Sequence, residues 1–175
     1  MRCARSLCWV PHPVSSGLLA ALKYDGWPTV AEEMGARIAR LPWPPDVLRE
    51  RAALLPVPLA AAKQRARGYN QAQRLAEAVG RRWGLPVWTD VLQRRRATPS
   101  QTSLTRGERL ANVHGAFSCA DFAAAQVTGR HLILVDDVLT TGATLNACAE
   151  ALFEAGARTL SYLTFGRART AADRP

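Results

Sequence analysis

The chain has 175 residues, of which 48% are hydrophobic and 21% charged, with a formal net charge of +9 and a pI near 10.4. That length supports one sizeable core with at most a small appendage. No apolar run reaches the roughly 20 residues that span a bilayer, and Pro11, His12 and Pro13 interrupt the N-terminus before a signal-peptide core can form, so no membrane span and a cytoplasmic location are expected.

Apart from Lys23 and Lys63 the cationic side chains are all arginine, and this charge favours anionic partners, nucleic acid among them. The cysteines Cys3, Cys8, Cys119 and Cys148 are too scattered for a disulfide scaffold. Cys148 and Cys119 read as buried free thiols. Cys3 and Cys8 with His12 bring ligand types that suit zinc, but a closed site needs four ligands, and zinc is not assigned.

Residues 1–14 carry no periodicity and read as a loose arm. From Ser15, SSGLLAALKYDG predicts a short capped helix with Leu18, Leu19 and Leu22 on one side and Gly26 past its end. A second helix is expected from Pro28, where Val30, Met34, Ile38 and Leu41 recur at helical spacing, and PWPPD at 42–46 breaks it. LLPVPL at 54–59 reads as a central strand that ends where proline removes its N–H donors. KQRARGYNQ at 63–71 reads as a basic turn around Gly68. A helix follows from Asn70, with Leu75, Val79 and Trp83 one turn apart, and Gly84 and Pro86 end it.

VWTDVLQR at 87–94 predicts the next strand. From Arg94 on come about twenty residues with little pattern but five arginines and Gln101, Asn112 and His114. An insertion of that length in a compact domain is functional or disordered, and its content fits an anion-facing loop. The run Leu132, Ile133, Leu134, Val135 reads as a strand buried on both faces that stops at Asp136 and Asp137. A helix then carries Leu145, Cys148, Ala149 and Leu152 and closes at Gly156. TLSYLTF at 159–165 is the last strand, and the polar tail behind it frays. Strands alternating with helices imply a mainly parallel sheet with ligands at the strand carboxyl ends.

The chemistry concentrates where that central strand ends. Two adjacent carboxylates are followed by Thr140, Thr141, Gly142, Ala143 and Thr144 just as the helix begins. Helix N-terminal amides, the dipole and short hydroxyls together suit a phosphate dianion. Strand-end acids and helix-capping threonines are each common structural features; it is their juxtaposition that describes a site for a phosphorylated polyol. The loop lacks the Gly-Lys-Ser/Thr of a Walker A motif and the G-x-G-x-x-G of a dinucleotide fold.

The run V-D-D-V-x-T-T-G-x-T resembles the 5-phosphoribosyl-1-pyrophosphate (PRPP) signature of type I phosphoribosyltransferases. The resemblance implies an α/β fold in which helices flank the sheet, with a short helical N-terminal segment. It also implies that Asp136 and Asp137 face the ribose hydroxyls and that Thr140 to Thr144 hold the 5-phosphate. Family members that assist a purine base carry an acid at the first loop position; here it is Thr140. Taken in order, ALKYDG, LLPVPL, RARGYNQ, the pattern from Thr98 through Gln101, Leu104, Glu108, Arg109 and Asn112, and the acid pair are similar to the ComF (competence protein F) family over roughly residues 18–167.

That resemblance implies a pyrophosphate-facing segment from Pro56 to Arg67, with Pro58, Arg65, Arg67 and Asn70 as contacts, and a flexible lid from Arg94 to Asn112 carrying Gln101 and Arg109. It implies Mg²⁺ bound together with PRPP and no direct protein ligand to the metal. The implied divisions are an N-terminal arm and helices over 1–45, a phosphoribosyltransferase-like domain over 46–167 with a flexible loop at 94–116, and a tail at 168–175. The four-cysteine zinc module that precedes the ALKY segment in many ComF-like proteins is not expected in this sequence. The function implied is Mg-PRPP binding in DNA uptake during natural transformation. The alternatives are a metabolic phosphoribosyltransferase that releases pyrophosphate, and a single-stranded DNA-binding partner of a DNA-uptake helicase that uses the fold as a scaffold.

Overall fold

The computed structural model describes residues 1–25, 28–96 and 115–169. In chain order its elements are β1 (Ala4–Val10), α1 (Pro13–Ala20) continuing into a π-helical turn (Ala21–Asp25), α2 (Pro28–Ile38) and α3 (Pro45–Glu50). There follow β2 (Arg51–Pro56), α4 (Ala61–Arg67), α5 (Gln71–Trp83), β3 (Leu92–Arg94), β4 (Phe117–Cys119), α6 (Ala124–Val127), β5 (His131–Leu139), α7 (Ala143–Glu154) and β6 (Thr159–Ala168). The main sheet has the order β1-β6-β5-β2, and every neighbouring pair in it is parallel.

The side-chain alternation of β5 explains its unbroken apolar sequence. Leu132 and Leu134 join Leu145, Cys148 and Leu152 of α7 in one buried cluster. Ile133 and Val135, pointing the other way, join Met34 of α2 and Leu75 and Val79 of α5 in a second. A strand covered on both faces has no polar side to show. On the second face α2 crosses α5 so closely that a Cβ built on Gly35 would stand 2.4 Å from the Cβ of Ala78.

The predicted helices at Pro28 and Asn70 form as expected. Asn70 caps α5 by accepting a bond from the Ala72 amide at 3.0 Å. Gly156, with φ +90°, follows the end of α7. Other expectations are corrected. Residues 1–14 are not a loose arm: β1 runs beside β6 from Ala4 opposite Tyr162 to Val10 opposite Ala168. The capped helix starts at Pro13, and Ser15 lies inside it, its hydroxyl donating to the Trp9 and His12 carbonyls.

The basic turn at 63–71 is largely helical, because Ala61 to Arg67 coil before Gly68 ends the helix with φ +81°. The strand predicted at 87–94 is broken: Val87 makes a single bridge to Leu54, and only Leu92–Arg94 is extended, pairing antiparallel with β4 in a separate two-stranded sheet. β5 does not stop at the acids but continues to Leu139, because β6 pairs with it as far as Arg167. The helix α3 was not expected from the proline-rich run before it.

Candidate functional site

The carboxyl ends of the parallel strands gather on one side of the molecule, and β5 delivers Asp136 and Asp137 there. Thr140 and Thr141 form the turn into α7, and Gly142 stands at the helix N-cap with φ +79°, a left-handed conformation that glycine adopts without a Cβ penalty. The Thr141 hydroxyl lies 3.4 Å from the Ala143 amide. Tyr162 on β6 donates to Asn146 Oδ1 at 2.9 Å, which ties the first turns of α7 to the sheet. The loop and helix start therefore sit on a fixed base, and a helix N-terminus of this kind suits an anion.

Strand alternation gives the two acids different surroundings. Asp136 shares the parity of Leu132 and Leu134, and its electrostatic neighbours include Arg94 and Cys148, on the α7 side. Asp137 shares the parity of Ile133 and Val135, and Lys23 of the π-helical turn stands 2.7 Å from its Oδ2. The ammonium approaches off the hydrogen-bonding direction, so that buried oxygen has an ion pair but no directed hydrogen bond.

Asp136 retains some accessible surface as a residue, yet its carboxyl is enclosed, with Oδ1 accepting the Asp137 amide at 2.8 Å. Burial first, and the adjacent Asp137 charge second, push it well above the ordinary carboxylate range. Burial also pushes the Cys148 thiol up, which makes it an inert core group. Cys119 is half-buried.

The segment after β2 carries the remaining expected contacts. Pro58 is half-buried and Arg65 exposed. Arg67 donates to Gln71 Oε1 at 2.6 Å. Asn70 is buried, and its amide is engaged at both ends, donating to the Val57 carbonyl at 2.9 Å and capping α5; it positions the loop. Tyr69 donates to the Leu22 carbonyl. The ALKYDG and RARGYNQ motifs are thus physically joined, and the joint places Lys23 beside the acids.

Sequence reasoning did not single out Lys23 as a site residue, although it is one of two lysines in an arginine-rich chain. Arg94, expected as the first residue of a lid, packs over the Phe117 ring with 5.3 Å to the centroid. Arg95 donates to Ser118 at 2.6 Å. Thr98, Gln101, Arg109 and Asn112, and with them most of the expected lid, lie outside the described residues.

Among the described residues no group of three or more His, Cys, Asp or Glu side chains is placed to hold a metal ion. Cys3 approaches Ser161 Oγ and Cys8 the Phe165 carbonyl. A pair of carboxylates does fit Mg²⁺ carried by a phosphorylated ligand, since that ion keeps waters and substrate oxygens and takes few protein donors. No helix among the described residues is long and apolar enough to cross a membrane.

A family model described as "Phosphoribosyl transferase domain" matches residues 65–173. Competence protein F of Haemophilus influenzae is 35% identical over 116 residues, covering 66% of this chain and 50% of that protein. DNA utilization protein YhgH of Salmonella typhi is 32% identical over 155 residues, 85% of this chain and 65% of that one. Competence protein ComFC of Bacillus subtilis is 35% identical over 104 residues, 59% of this chain and 39% of that one. The chain spans about half the length of the curated relatives it matches. Among solved structures, glutamine PRPP amidotransferase from B. subtilis complexed with ADP and GMP superposes with a TM-score of 0.52 at 18% identity, covering 82% of this chain and 30% of that one. This likeness shows a shared fold.

Proposed function

Because the chain belongs to the phosphoribosyl transferase domain family, we propose that it binds PRPP together with Mg²⁺ at the carboxyl end of β5 and acts in DNA uptake. The observation that carries this reading is the run from Asp136 to Thr144, in which two adjacent acids in the last part of β5 precede a glycine-capped helix start. The acids accept the ribose hydroxyls, and the 5-phosphate sits on the first turn of α7 with the hydroxyls of Thr140, Thr141 and Thr144. The loop from Pro56 to Arg67 faces the pyrophosphate. Mg²⁺ carried by the ligand would supply charge neutralisation there, beside the acid pair Asp136 and Asp137.

The role in DNA uptake is supported by the names of the relatives, two called competence proteins and one a DNA utilization protein. In that role single-stranded DNA and a DNA-uptake helicase are its partners, and the net charge of +9 favours contacts to phosphates. Calorimetric titration with PRPP and Mg²⁺ tests the ligand: saturable binding that weakens when the metal is chelated is expected, and absence of binding overturns the reading. Assaying pyrophosphate release with a panel of bases then separates a binding protein from a metabolic transferase.

A further inference from the structure

We propose that Lys23 is a ligand-contacting residue of this site. Its ammonium rests on Asp137 in the ligand-free protein and turns onto a pyrophosphate oxygen when the ligand binds. The inference rests on the reading that the site takes PRPP. A ligand bearing several negative charges must settle beside the Asp137 carboxylate, which is unfavourable unless cations lie between them; Mg²⁺ carried by the ligand would be one, and a cationic side chain would be another.

The structure supplies that cation. Lys23 Nζ is 2.7 Å from Asp137 Oδ2, and the lysine side chain is 28% exposed against 11% for the aspartate, so the pair is not sealed from solvent. The backbone that carries it is fixed, because Tyr69, in the turn between α4 and α5, donates to the Leu22 carbonyl, and Asn70 beside it is bonded to Val57. Lys23 is thereby held between the acids and the loop that would face the pyrophosphate. The residue type fits the role: an ammonium on a flexible stem can rotate from one oxygen to another, whereas the planar guanidinium used almost everywhere else in this chain favours a fixed bidentate geometry.

The test is calorimetry with Mg-PRPP on the wild type, Lys23→Met and Lys23→Arg. Lys23→Met is expected to weaken binding about thirtyfold or more, and Lys23→Arg, which keeps the charge but not the rotatable ammonium, to recover only part of the loss. A second measurement avoids substitution: acylation of the Lys23 amine, followed by mass spectrometry, should slow severalfold when Mg-PRPP is present, while the Met1 amine reacts at its original rate. Wild-type binding with undiminished affinity in Lys23→Met, or Lys23 labelling that is unchanged or faster with ligand, overturns this inference and leaves the proposed function standing. Absence of wild-type binding overturns both.

Discussion

Replacing Asp136 and Asp137 together by asparagine separates a ligand site from a strand end that happens to be acidic. The shape is nearly preserved, so the change reads out charge. Asp137, ion-paired with Lys23 at 2.7 Å, would accept a ribose hydroxyl as a carboxylate, a bond of about 1.5–3 kcal/mol. Asparagine still accepts at each position in the neutral range of about 0.5–1.5 kcal/mol, the range that Asp136, held toward its neutral form by burial and by its neighbour, already occupies. The loss therefore comes from Asp137, about 1–1.5 kcal/mol, or roughly 5- to 13-fold weaker binding. The cost to folding is small, because the freed Lys23 side chain is 28% exposed and its ammonium rehydrates, leaving a loss of about 1 kcal/mol or less. Calorimetry with Mg-PRPP on the double variant, beside Asp90→Asn at an exposed position outside the site, gives the answer. Affinity within about twofold of wild type in the double variant refutes the reasoning, as does an equal loss in Asp90→Asn.

Asp136→Asn alone should raise stability at about pH 7 and leave it unchanged at about pH 3: a carboxyl raised in the fold stabilises fully below its unfolded value of 3.8 and loses that contribution as pH rises through the folded value. Denaturant titrations at both pH values check this, and a uniform shift contradicts it. His131 behaves oppositely. It is buried, bonded through Nε2 to Ser161 Oγ at 2.9 Å, and pulled below its ordinary 6.5 by burial, so its contribution is intact above that value and declines as pH falls; His131→Gln should flatten the stability loss between about pH 7.5 and 5.5. Gly35→Ala should lower stability by about 1–3 kcal/mol even though alanine is the better helix former, because the added methyl meets Ala78 Cβ at 2.4 Å and its backbone at 3.3 Å; an unchanged melting temperature counts against so close a crossing. Single-stranded DNA should bind through phosphates with a log–log salt slope near about −3 if about four phosphates are neutralised, and Arg65→Gln, at an exposed position, should flatten it by roughly 0.7; a slope indifferent to that change would place the contacts elsewhere.

What was legible followed from local rules. β5 and α7 were readable because an apolar run covered on both faces and a helix closed by Gly156 leave unambiguous traces. The capped helix at Asn70 was readable because an amide side chain before a helical period is a start signal. β1 was illegible because it lies at the sheet edge, where all its residues but exposed Trp9 and buried Val10 are half-buried, leaving neither alternation nor a continuous run. α4 was illegible because nearly every residue of it is exposed, so it has no apolar stripe. The continuation of β5 to Leu139 depends on the length of its partner β6, which the sequence around the acids does not contain.

The same distinction applies to the site. The acids, threonines and Gly142 are consecutive, and their chemistry is readable wherever they fold. The charge around them is not consecutive: Lys23 comes from the N-terminal helical segment and pairs with Asp137, and Arg94, at the end of β3, is an electrostatic neighbour of Asp136. Alternation along a strand makes that division obligatory, since adjacent side chains leave on opposite sides. Two neighbouring acids on one strand therefore meet different surroundings: Asp137 takes the ion pair with Lys23, and burial holds Asp136 toward its neutral form. The segment that reads as an arm is thus part of the site's electrostatics. Its strand β1 anchors it to β6, Tyr69 fixes its helical end, and between those two attachments the position of Lys23 is set.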